Sequence, residues 1–169
     1  MTPARSIGPG RRFFMRITYR RVTSDGNVPL DVLCAGADVR MLSYVGIGAA
    51  IGGMSRFLLG SFIQQRTAGD FPMGTLVINV TGSFVLGIIM RYALQTDAMS
   101  SEMRALLASG FCGGYTTFST FSYETAILVK DGEYGRAASY VGSSVTLALV
   151  FMFLGFATAQ RLFLSRTPG

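Results

Sequence analysis

From residue 41 to residue 160 the chain is written almost entirely as four apolar stretches, roughly 41–64, 71–94, 105–129 and 137–160, joined by short connectors. Each has about the twenty mostly apolar residues that a helix needs to cross the hydrocarbon of a bilayer. Lipid offers no hydrogen bonds, so every backbone N–H and C=O in such a stretch must be satisfied from within the protein. The expected fold is therefore an all-α integral membrane protein with four transmembrane helices per chain. Composition agrees, because 14% of the 169 residues are charged and 50% are hydrophobic, whereas a soluble domain is about a quarter charged.

Several function classes drop out early. The chain has no His, which removes Ser-His and Cys-His catalytic pairs, His-ligated metals and imidazole proton relays; an enzyme is not expected. Cys34 and Cys112 lie in different settings, one polar and one apolar, and suggest neither a metal site nor a disulfide framework. The net charge of +6 comes largely from Arg5, Arg11, Arg12, Arg16, Arg20, Arg21 and Arg40, with no aromatic-interleaved module beside them, so nucleic acid is not an expected partner.

Residues 1–40 form a basic leader punctuated by Pro and Gly, and disorder is expected there. Its Arg11-Arg12 pair superficially matches a twin-arginine signal, but no apolar segment follows. Two readings of the leader stand: a juxtamembrane tail that binds anionic headgroups, or an untranslated extension with the native start at Met41. The membrane domain is then 41–165, with a short tail at 166–169.

Four crossings put Arg91, Arg104, Arg161 and Arg166 on one side and Arg66, Lys130 and Arg136 on the other, with Arg56 near that same end of the first span. Such Lys and Arg residues set membrane orientation, and here they nearly balance. A chain without a preferred orientation can insert both ways, and opposed copies can pair about an axis in the membrane plane. An antiparallel, dual-topology homodimer is expected; the other reading is a small bias that counting misses.

The spans carry distinctive polar groups. In the first, Gly46, Gly48, Gly52 and Gly53 suit close helix contact, and Arg56 either snorkels to the interface or attracts an anion into a vestibule. The second opens with Pro72, expected in the first helical turn, and holds Asn79 near its middle, followed by Thr81 and Ser83. Asn79 has two amide donors and no charge; it either bonds a neighbouring helix or lines an aqueous path. In the third, Gly113-Gly114-Tyr115-Thr116-Thr117 is expected to interrupt the helix, and irregular backbone is tolerated at membrane depth only where it is buried in protein or lines a cavity. Carbonyls freed from two opposed copies would make an all-oxygen site for a hard cation.

Beyond the break, Phe118 and Phe121 share one helical face beside Ser119, Thr120 and Ser122. Ring edges carry the positive end of the aromatic quadrupole, so two edges with hydroxyl and amide donors can hold a small anion without a fixed cation; packing or lipid contact is the alternative. Glu124 is expected at the interface or near a pore mouth. On the fourth span Tyr140 and Ser144, four apart, face the same way.

Together, "GTLVINVTGSF" and "GFCGGYTTFSTFSYE" on consecutive spans resemble the Fluc (CrcB) family of fluoride channels, over about residues 41–165. The most specific element is Gly-Gly-x-Thr-Thr-Phe-Ser-Thr-Phe, from Gly113 to Phe121. The resemblance implies an antiparallel dimer with two fluoride pores, in the plasma (inner) membrane of a bacterium, and a structural Na⁺ held by carbonyls at the third-helix break. Position by position it implies Gly113 and Thr116 for Na⁺, Phe118 and Phe121 for the aromatic box and Asn79 for the pore. It places Thr117, Ser119 and Thr120 in a hydroxyl run, and Tyr140 and Ser144 on the fourth helix of the pore. Ala148 stands where the hydroxyl track would continue, and Phe57 follows Arg56 where Tyr is commoner. The implied activity is passive fluoride efflux. Two rivals remain: a dual-topology small-molecule exporter, although spans one and two carry no Asp or Glu, and a non-transporting membrane assembly subunit.

Overall fold

The computed structural model describes residues 39–67, 71–96 and 98–164. The expectations for the leader up to residue 38 and for the C-terminal tail lie outside the described residues. What is described is entirely helical: α1 (Val39–Arg66), α2 (Met73–Gln95), a segmented third stretch, and α6 (Tyr134–Ala159), which ends in a π-helical turn (Gln160–Leu164). The third stretch comprises α3 (Ser101–Arg104), a π-helical segment (Ala105–Cys112), α4 (Gly113–Tyr115) and α5 (Phe118–Lys130).

Three helices among the described residues are long and apolar enough to cross a membrane: Val39–Arg66, Met73–Gln95 and Tyr134–Phe163. The third apolar stretch is not one continuous helix. Its glycines are not where the chain opens, since Gly113 keeps right-handed helical angles (φ −64°, ψ −38°). The two residues that leave the helix are Thr116 (φ −80°, ψ 157°) and Thr117 (φ −145°, ψ 117°), both extended.

Local chemistry explains the other ends. Pro72 sits at the N-cap of α2, one residue ahead of the first-turn position expected from sequence. Pro72 offers no side-chain oxygen, and the Gln64 Oε1 of α1 instead accepts the Gly74 N–H at 3.3 Å. Between α5 and α6, Glu133 N–H donates to Leu128 C=O (2.9 Å) and Gly132 N–H to Val129 C=O (3.1 Å), the paired bonds of a Schellman turn. Gly132 supplies the left-handed residue (φ 78°) that this turn requires. The connection is short, and α5 packs back on α6.

α2 packs along α6, where a Cβ on Gly87 would overlap the Met152 carbonyl and one on Gly155 the Phe84 carbonyl. α1 meets the third stretch just as closely: a Cβ on Gly48 would overlap the Leu106 carbonyl, and one on Gly114 would stand 2.6 Å from the Ala49 carbonyl. Small residues at these crossings let backbones touch, the packing that replaces hydrophobic drive in lipid. Gly48 and Gly52 are buried, while Gly46 and Gly53 face open space. Leu76, Val80, Leu128, Ala137 and Tyr140 form the buried cluster beneath the break.

Candidate ion pathway

Thr75, Asn79 and Ser83 recur every four residues along α2, and therefore form one stripe on that helix. The stripe borders the opened turn. Asn79 Oδ1 accepts the Thr117 N–H at 2.8 Å, and Asn79 Nδ2 donates to the Thr117 C=O at 3.0 Å. One side-chain amide thus pairs with both backbone groups of one extended residue. Thr117 in turn caps α5, its Oγ1 accepting the Thr120 N–H at 3.2 Å while donating to Thr120 Oγ1 at 2.9 Å.

These bonds change the upstream carbonyls. In a continuous α-helix the N–H of residue i pairs with the C=O of residue i−4, so Gly113 would take its donor from Thr117 and Thr116 from Thr120. Here Thr117 N–H goes to Asn79 and Thr120 N–H goes to the Thr117 hydroxyl. Gly113 and Thr116, the residues with the expected cation-facing carbonyls, have both lost their helical donors to side chains. Gly113 is exposed, and a Cβ there would meet nothing within 4 Å.

Two cavities adjoin the break, and Thr117 lines both. The larger, about 700 Å³, is walled by Arg56, Gln64, Thr75, Thr120, Glu124, Asp131 and Glu133 among others. Arg56 is therefore on a cavity wall. That wall carries both signs of charge, and Glu133 is bound to Arg136 at 2.8 Å. Glu124 accepts the Thr75 hydroxyl at Oε1 (2.9 Å) and the Tyr140 hydroxyl at Oε2 (2.7 Å). Tyr140 has no exposed surface.

The smaller cavity, about 260 Å³, is lined by Asn79, Ser83, Leu86, Thr116, Thr117, Phe118, Phe121, Ser144, Val145 and Ala148. No side chain in that set is charged. The Phe118 and Phe121 rings lie 5.6 Å apart and tilted, and Phe121 leans on Tyr140 at 5.2 Å. Ser144 is buried, and its Oγ has no hydrogen-bond partner. Phe118 is 79% exposed, opening the cavity on one side. Ser119 is also exposed and touches the Thr117 hydroxyl at 3.4 Å.

The structure thus brings Asn79, Phe118, Phe121 and Ser144 around one cavity, puts Arg56, Thr120 and Glu124 around the other, and joins Tyr140 to the second group through Glu124. Sequence reasoning missed Thr75, although its place four residues before Asn79 was a usable signal, and Gln64, which gave none.

These features define a small helical membrane protein whose third apolar stretch is opened, with a mixed-charge cavity and an uncharged, aromatic-edged one on either side of Thr117. The profile of the family described as "CrcB-like protein, Camphor Resistance (CrcB)" matches residues 43–156, and the chain belongs to this family. Relatives named fluoride-specific ion channel FluC include one from Geobacter sulfurreducens, 45% identical over 118 residues, covering 70% of this chain and 95% of the relative. Another, from Prosthecochloris aestuarii, is 43% identical over 116 residues, covering 69% and 90% respectively. A third, from Thermus thermophilus, is 43% identical over 112 residues, covering 66% and 87%.

Proposed function

We propose that the chain is a passive, fluoride-selective ion channel of a bacterial plasma membrane, and not an enzyme. The observation that carries this reading is an uncharged cavity edged by Phe118 and Phe121 and lined by Asn79 and by Ser144, whose buried hydroxyl has no partner. A buried donor without an acceptor costs about 1–3 kcal/mol, and a small anion in the cavity would supply the acceptor. Ring edges and the Asn79 amide add positive ends of dipoles without a fixed cation that would trap the ion. Relatives named as fluoride-specific channels favour fluoride as that anion.

Fluoride crosses a membrane as neutral HF from an acidic exterior and is retained as F⁻ at the higher pH inside. A passive path lets it leave down its gradient, aided by the membrane potential at about 2.3 kcal/mol per charge per 100 mV. Arg56, on the wall of the larger cavity, would attract an anion in competition with the Glu124, Asp131 and Glu133 carboxyl groups on the same wall. Tyr140, Thr75 and Glu124 form the bonded wall beside Thr117, the residue common to both cavities.

The working unit in this reading has four crossings per chain, the third interrupted at Thr116–Thr117, and is an antiparallel homodimer of opposite insertions. The near-balanced charges, the exposed Phe118 ring and the open faces at Gly46, Gly53 and Gly113 support it. Opposed breaks would pool the Gly113 and Thr116 carbonyls around a structural Na⁺. The donor set fits: neutral oxygens whose helical donors are diverted, of the kind unwound membrane helices present to Na⁺. Liposomes carrying the protein should release F⁻ far faster than Cl⁻, and comparable release of the two ions refutes selectivity. Phe118→Ile or Phe121→Ile should suppress F⁻ release while the dimer persists in detergent.

A further inference from the structure

We infer that Asn79 is a positioning residue for the cation site: by taking both backbone groups of Thr117, its carboxamide keeps the Gly113 carbonyl out of helical pairing. This rests on the sodium reading above. It concerns a residue on a different helix from the carbonyls, one for which the family resemblance implies a place in the anion path.

Thr117 N–H is the donor that would close the helix onto Gly113 C=O. Asn79 Oδ1 competes for that hydrogen at 2.8 Å, while Asn79 Nδ2 holds the Thr117 C=O at 3.0 Å and so fixes the orientation of the same residue. Thr117 is 6% exposed, so water is a poor substitute for either bond. Without the amide, the satisfied alternative nearest to hand is helical pairing of Thr117 N–H with Gly113 C=O, which removes one oxygen from the cation. The backbone around Asn79 is itself held, since Ser83 Oγ donates to the Asn79 C=O at 2.7 Å. Asn79 Nδ2 keeps a second hydrogen for the smaller cavity, so the anion and cation sites share one side chain.

The test measures thermal unfolding of the purified full-length protein in detergent across a NaCl series, with N-methylglucamine chloride keeping ionic strength constant. Wild type should show a saturable Na⁺-dependent rise in Tm. Asn79→Ala should move the Na⁺ midpoint of that rise upward by at least tenfold. Asn79→Leu keeps comparable side-chain bulk, removes both bonds to Thr117, and should move the midpoint at least threefold. Leu76→Ala, a deletion in the buried cluster, should lower Tm at every concentration and leave the midpoint in place. Unchanged midpoints in both Asn79 variants, in a protein whose wild type responds to Na⁺, overturn the positioning role alone. Absence of any Na⁺ response in wild type overturns it together with the sodium reading, while fluoride release from liposomes is judged separately.

Discussion

Replacing Tyr140 by Phe removes a single oxygen from the centre of the protein. The ring contacts stay, with Phe71 at 5.6 Å edge-on and Phe121 at 5.2 Å. What is lost is the 2.7 Å bond to Glu124 Oε2, leaving that carboxyl group with the Thr75 hydroxyl on its other oxygen. Tyr140 is fully buried, so water cannot readily take the place of its hydroxyl. A hydrogen bond to an ionised group contributes about 1.5–3 kcal/mol and one between neutral groups about 0.5–1.5 kcal/mol. Equilibrium unfolding in mixed micelles, run on wild type, Tyr140→Phe, Glu124→Ala and the double variant, isolates the pairwise contribution. A coupling of at least about 1 kcal/mol is expected, because contacting residues in one network couple by about 0.5–3 kcal/mol. Coupling indistinguishable from zero would mean that the carboxyl group and the phenol do not meet in the folded protein, and the bonded wall proposed beside the break would be wrong.

Three further outcomes are expected. Ser144→Ala should hold or raise stability, by up to about 1–3 kcal/mol for an unsatisfied buried hydroxyl removed, yet lower fluoride release; a loss of stability with normal release would show that the hydroxyl has a partner in the protein. Gly132→Ala should cost about 1–2 kcal/mol, the left-handed penalty for a side chain at φ 78°, read as a lower unfolding midpoint with selectivity unchanged. Gly48→Val should cost about 1–3 kcal/mol or more by overpacking, since its Cβ already overlaps the Leu106 carbonyl; unaltered stability would place α1 elsewhere.

Much of this was legible in the residues because the signals were local and strong. Apolar runs of membrane length, a proline before α2, glycines facing backbones and a hydroxyl run after two glycines each carry their own physical reason. The opening falls at the threonine end of the stretch Gly113–Thr117, because the glycine end keeps helical angles at Gly113 while the bonds that hold the chain extended are made at Thr117. Asn79 supplies them from another helix, and no pattern within the third stretch can announce a donor 38 residues away. For the same reason Asn79 read equally well as a helix bridge and as a cavity lining; the structure gives it a share in each. Thr75 was overlooked because a threonine in an apolar helix has an ordinary alternative, the back-bond to the preceding turn that Thr81 makes to Val77 C=O at 2.8 Å.

Thr117 borders both cavities while its backbone is fastened to α2. A displacement of α5 relative to α2 must therefore disturb the outer mouth and the inner chamber in the same movement. Two doors hung on a single pin cannot be worked independently, and a pathway arranged this way is suited to standing ajar rather than to opening its ends in turn.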